Sequence, residues 1–234
     1  MRKLLILGAM LGLVGLMPAV ARADFVVQVA ADGGAWTTVA SSSPGSGGTL
    51  SFATTIGDFT IGGGMSSSSS PSALTEVGTF SITNNASGTG SHTLNIRVSA
   101  QDFSIPSGSG AGLVLAGTVS GSVAKGTLSS GDFTASIDTS NALFGTATSA
   151  PTITFGPTGA INSFSGSSST GVDVATTPYS MTIVGDWTLS NGGKLTLTGG
   201  NGAVTVPEPA SMGMFVLGAG VLGIFSLRQR RRPA

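Results

Sequence analysis

One histidine, nine carboxylates, three cations and a handful of aromatics carry all the side-chain chemistry between residues 24 and 206. Cysteine is absent from the whole chain, which excludes disulfides, thiol nucleophiles and cysteine-based zinc sites. His92 is the only histidine, and no motif places a serine and an aspartate in order around it, so no charge-relay triad is assigned. Its place at the start of a candidate strand reads as a surface or edge residue. A glycosidase needs two opposed carboxylates, and none of the nine sits in a context that singles it out. Trp36, Tyr179 and Trp187 have rings that stack on sugars, although Trp187 falls on the alternating face of a strand and is expected in the core. The expectation is a protein that is not an enzyme, with no catalytic, cofactor-binding or metal residues and no cofactor.

An irregular echo runs through the acids. Asp58-Phe59-Thr60-Ile61, Asp102-Phe103-Ser104-Ile105, Asp132-Phe133-Thr134 and Asp186-Trp187-Thr188-Leu189 share the order acid, aromatic, hydroxyl, and glycine precedes the acid in three of the four. Clustered carboxylates suit a hard cation such as calcium, but no D-x-D-x-D loop or nonapeptide repeat supports one. The plainer reading is that Gly-Asp closes a turn and the aromatic opens a buried strand face.

The elements that position these groups are short alternations of apolar and polar residues, separated by Gly, Ser and Asn clusters. Phe25–Val29, Thr79–Thr83 and Thr93–Val98 repeat with a period of two and read as strands. Asn84 to Gly90 between the last two reads as a loop. Met181, Ile183, Trp187 and Leu189 lead into Ser190-Asn191-Gly192-Gly193, with Leu195 and Leu197 beyond, a pattern that predicts a tight hairpin. Ser41–Gly48, Gly62–Pro71 and Ser165–Thr170 read as flexible linkers or long loops. The fold class is all-β: an antiparallel β-sandwich-like domain over residues 24–206, with long Gly/Ser-rich loops.

The two ends differ in kind. Met1-Arg2-Lys3, an apolar run from Leu4 to Leu16, and Ala21-Arg22-Ala23 have the layout of a signal peptide over residues 1–23, a short helix cleaved after Ala23 with Ala21 and Ala23 as recognition residues. Residues 210–227 hold eighteen uncharged positions, about 27 Å of helix and enough to cross a bilayer as one transmembrane helix. Arg228, Arg230, Arg231 and Arg232 follow in a basic tail, 228–234, and are held on the cytoplasmic side by the positive-inside rule. Arg97, Lys125 and Lys194 are then the only cations against nine acids in residues 24–206, a net charge of −6 that argues against nucleic acid as a partner.

Between domain and helix stand Pro207, Glu208 and Pro209. The two prolines fix φ and push their predecessors to extended geometry, displaying one carboxylate on a stiff peptide. This motif, the helix and the arginine cluster together resemble the PEP-CTERM sorting signal over residues 207–234. The resemblance implies an exosortase-type membrane processing enzyme as partner. It also implies a membrane-anchored intermediate and delivery to the cell surface or extracellular matrix of a Gram-negative-type bacterium. For the domain itself the expectation is a structural or adhesive role in exopolysaccharide or biofilm. The alternative is a carbohydrate-binding module for the cell's own exopolysaccharide.

Overall fold

A computed structural model describes residues 24–42, 48–68, 73–174 and 176–206, with the side chains of residues 108–111 excepted. The expected signal segment 1–23, the Pro-Glu-Pro motif, the span 210–227 and the arginine tail lie outside the described residues.

Every described element is a strand, and every pairing is antiparallel. Sheet A contains β1 (Phe25–Ala31), β2 (Thr37–Ser41), β6 (Ser91–Phe103), β8 (Thr127–Asp138) and β13 (Tyr179–Ser190), together with the short β9 (Thr148–Ser149), β10 (Ile153–Phe155) and β11 (Thr158–Gly159). Sheet B contains β3 (Thr49–Ile56), β4 (Phe59–Ser68), β5 (Ala73–Asn84), β7 (Gly108–Lys125), β12 (Asn162–Val174) and β14 (Lys194–Thr205). The strand orders are β10-β8-β13-β6-β1-β2 and β12-β7-β14-β5-β4-β3. Two sheets stacked face to face make the expected sandwich.

The chain changes sheet at most of its long connections. β5 passes to β6, β7 to β8 and β13 to β14 at one pole, while β2 passes to β3, β6 to β7 and β12 to β13 at the other. The predicted hairpin around Asn191-Gly192 is therefore an arch. β13 pairs with β6 and β8, β14 pairs with β5 and β7, and the two lie in opposite sheets. The alternation of Trp187 and Leu189 with Leu195 and Leu197 is the same in both geometries. Apolar residues of a hairpin share one face, and those of an arch meet across the core.

Period-two patterning fills that core from both sheets. Phe25, Val27, Val29, Leu94, Ile96, Val98, Phe133, Ile183 and Trp187 of sheet A meet Phe59, Ile61, Phe80, Ile82, Leu113, Leu115, Leu195 and Leu197 of sheet B, all buried. Phe155 of β10 and Phe164 of β12 lie 4.7 Å apart and close the open side of the sandwich over Trp187, which is 1% exposed. Burial of a side chain of this size contributes about 1.5–3 kcal/mol or more.

The glycines explain part of the acid echo. A Cβ on Gly131 or Gly185 falls 2.8 Å from the Trp187 ring, so both must be glycine for the indole to lie flat against the sheet. Gly-Asp-aromatic is thus an inward glycine, an outward acid and an inward ring, and only Gly57-Asp58 is a turn, between β3 and β4. Asp132 and Asp186 lie in mid-strand, contrary to the turn expectation, and Asp102 is near the end of β6.

Two expected loops are strands. Gly62 to Ser68 belongs to β4, and Ser165 to Thr170 is the middle of β12. Ser and Gly have weak strand preference by themselves, but the β5 and β7 ladders supply their backbone partners. Asn84 is likewise the last residue of β5, fully buried, where a loop was expected.

Candidate functional site

The outward face of sheet A is a carpet of polar side chains set by strand register. One row across it is Asp132, Asp186 and Asn95, and the next is Thr134, Val184, Arg97 and Gln28. The Asn95 amide donates to the Asp186 carboxylate. Thr93 and Thr188 share a hydrogen bond of 2.9 Å.

The segment after β8 lies over the lower half of this face. Residues 139–147 are held by outward hydroxyls: the Phe144 N–H donates to Ser99 Oγ at 3.0 Å, and Ser180 Oγ donates to the Ala142 carbonyl at 2.6 Å. Ser99 and Thr182 are buried beneath it and bonded to each other. Without the segment those hydroxyls would face solvent, so the lid and the serines on the strands require one another.

Arg97 stands at the boundary between covered and open halves. Its guanidinium carbon is 4.3 Å from the Trp36 ring centroid and 4.2 Å from that of Phe144. Its Nε and Nη2 both donate to Gln28 Oε1, at 2.9 and 2.6 Å, and Gln28 passes a bond on to Thr38. Desolvation in this stack lowers the pKa of the guanidinium. Among the described residues Arg97 has no carboxylate partner, since the ion pairs there all involve His92. Cation–π contact of this kind contributes about 0.5–2 kcal/mol and ties two loops to one strand. Trp36 remains 38% exposed.

His92 sits at the pole where β5 turns into β6. Its Nδ1 is 2.8 Å from Asp32 Oδ2, and its Nε2 is 3.9 Å from Asp58 Oδ2. Burial acts to raise the Asp32 carboxyl, but the Thr93 backbone donor and the His92 ring outweigh it and hold its pKa below the usual value. His92 so bonds to Asp32, which follows β1 of sheet A, and faces Asp58, in the β3–β4 turn of sheet B, without a hydrogen bond to it. The His92 side chain is 32% exposed, the surface or edge placement expected for it.

The other sequence candidates separate. Tyr179 is buried, with its hydroxyl donating to the Ile105 carbonyl at 3.1 Å, and burial pushes its pKa up. Trp187 is core, as expected. Of the echo aspartates, Asp58 is at the His92 pole and Asp102 at the opposite one, bonded to Asn141, while Asp132 and Asp186 alone are neighbours. The calcium reading has no set of convergent ligands among the described residues. Arg97 and Phe144 were missed by sequence reasoning. Arg97 is one of three cations in the domain and stands at an outward strand position, which is a signal, but nothing in the sequence aims a residue of a distant loop at it.

β14 runs to Thr205, which pairs with Val114 at the pole where β1 begins, and Val206 beyond it is 52% exposed. Residues 205–232 match the family model described as the PEP-CTERM protein-sorting motif. This segment is a PEP-CTERM sorting signal. The match to the PEP-CTERM signal supports exosortase-dependent processing at a membrane and sorting to the cell surface. The PEP-CTERM match leaves residues 24–204 unassigned, and no curated protein matches the chain.

Proposed function

We propose that this PEP-CTERM protein is a non-catalytic structural unit of the cell surface or extracellular matrix, exported through residues 1–23 and presented by its C-terminal signal. The observation that carries the reading is polarity. Both ends of the sandwich, Asp24 and Val206, lie at one pole, where Phe25 pairs with Ala100 and Thr205 with Val114. The sorting motif begins on the last residue of a central strand, so no free linker separates domain from signal. With a span over 210–227, the four residues 206–209 set the foot of the domain within about 14 Å of the membrane at most. The opposite pole, with His92, Asp58 and the Asn191 arch, then points outward, roughly 40 Å away along β14. A rigid sandwich of low charge, upright on the surface, suits a packing element of the matrix.

A second reading rests on Trp36. Its partly exposed ring, stacked on Arg97, together with Gln28 bonded to that arginine and Asn95 and Asp186 in the next row of the sheet, has the ingredients of a sugar-stacking surface for the cell's own exopolysaccharide. One experiment separates the two. In cells lacking the protein, re-expression of the Trp36→Ala variant restores matrix cohesion as fully as the wild type if the role is structural. Failure of Trp36→Ala to restore cohesion at equal surface abundance, with loss of polysaccharide binding by the purified protein, would replace the structural reading with the glycan one.

A further inference from the structure

The sheets end in two different ways. The β8 margin of sheet A is covered by β9, β10 and β11, of two, three and two residues, interrupted by Pro151 and Pro157. Its other margin, β2, is five residues long with a register shift against β1. Short, proline-broken, irregular edges resist addition of a further strand. Sheet B ends differently. β12 is thirteen residues, contains no proline or basic residue, and carries Asp173 as its one charge. It pairs with β7 along its length, and among the described residues its other side pairs with nothing. On an antiparallel edge alternate residues turn both N–H and C=O outward, so about six residues of β12 offer unpaired groups. Ser163, Ser165, Ser167 and Ser169 are exposed and too small to obstruct an approaching strand.

We infer that β12 pairs with β12 of a second copy of this chain, antiparallel about a two-fold axis, so that sheet B continues from one molecule into the next. A strand is matched in length only by its own copy, and a two-fold pairing engages the outward groups of both. The other long edge, β3, has eight residues and leaves the rest of β12 unmatched. Charge favours the same contact. Domains carrying −6 each repel, and an uncharged strip between Asn162 and Val172 is where two of them approach at least cost. β12 exposes serine hydroxyls and Gly171 with no large anchoring side chain, so recognition is by backbone, the mode of strand addition. Such a contact is smaller than the roughly 1,200–2,000 Å² of a stable interface, and it depends on the high local concentration that surface sorting provides. The inference deepens the structural reading above. Its test reports strand proximity and not cohesion, so either idea can fail without the other.

The absence of native cysteine makes that test direct. Full-length chains with Ser163→Cys, Ser165→Cys, Ser167→Cys or Ser169→Cys, one at a time, are expressed in the producing cell and treated with a short bifunctional thiol reagent. Thr118→Cys, exposed on the interior strand β7, is the control. The expected result is a crosslinked dimer several-fold above the Thr118→Cys level, strongest at one position or two adjacent ones and declining away from them. Adding Ser165→Lys to the best crosslinking variant, or Ser167→Lys where position 165 carries the thiol, removes the dimer while near-ultraviolet circular dichroism of the domain is unchanged. Equal yield at all positions and at Thr118→Cys, or a dimer that survives the lysine, overturns the inference.

Discussion

Asn84 is where the two sheets are pinned, and its replacement gives a measurable quantity. The side chain is fully buried at the end of β5. Its Nδ2 donates to the Leu189 and Ser190 carbonyls of β13 at 3.0 and 3.2 Å, and its Oδ1 accepts from the Ala86 N–H at 3.0 Å. Its own backbone N–H bonds to the Gly193 carbonyl at 2.9 Å, so one residue of sheet B holds the β13–β14 arch and its own loop together. Asn84→Ala removes three bonds worth about 1 kcal/mol each and strands at least one buried carbonyl, a loss of about 2–4 kcal/mol. For a domain of this size that lowers Tm by roughly 5–15 °C. Asn84→Asp keeps the shape and reverses a donor. An ionised carboxylate facing two carbonyls is disfavoured, so the folded pKa rises above the unfolded value of about 3.9. The folded state then binds the proton more tightly than the unfolded one. The deficit is therefore small below about pH 4 and grows by up to about 1.4 kcal/mol per pH unit until the folded pKa is passed. Urea unfolding at pH 4 and pH 7, followed by the fluorescence of buried Trp187, reads both effects. An alanine variant within 0.5 kcal/mol of wild type, or an aspartate variant with the same deficit at both pH values, refutes the clamp.

Two further outcomes follow from the geometry. Gly131→Ala puts a methyl 2.8 Å from Cε3 and Cζ3 of Trp187, and it should cost about 1–3 kcal/mol and change the near-ultraviolet dichroism of that indole; an unchanged spectrum and stability would show that the ring has room. Deletion of Pro207 to Pro209 should leave export intact and trap the protein at the inner membrane, read by fractionation, whereas normal arrival at the surface would separate the motif from sorting.

Residue types and their order were sufficient for the sorting signal, because its parts are local and adjacent: Pro207-Glu208-Pro209, an uncharged run and an arginine cluster. They were sufficient for the apolar strands too, since the alternation of Phe25, Val27 and Val29, or of Leu94, Ile96 and Val98, reports one buried face without reference to any partner. Partners are what the sequence lacks. Whether Leu195 and Leu197 lie beside Leu189 or across from it depends on β5, β6, β7 and β8, and the same alternation serves either arrangement. The serine-rich runs at 66–68 and 165–169 look like linkers, because their strand character comes from the ladders of β5 and β7 and not from their own side chains. Arg97, Trp36 and Phe144 are separated by 61 and 47 positions in the chain and meet only when two loops fold back on sheet A. Tertiary structure decided every contact of this kind, because closing long loops is rewarded only once the strands beneath them are in place.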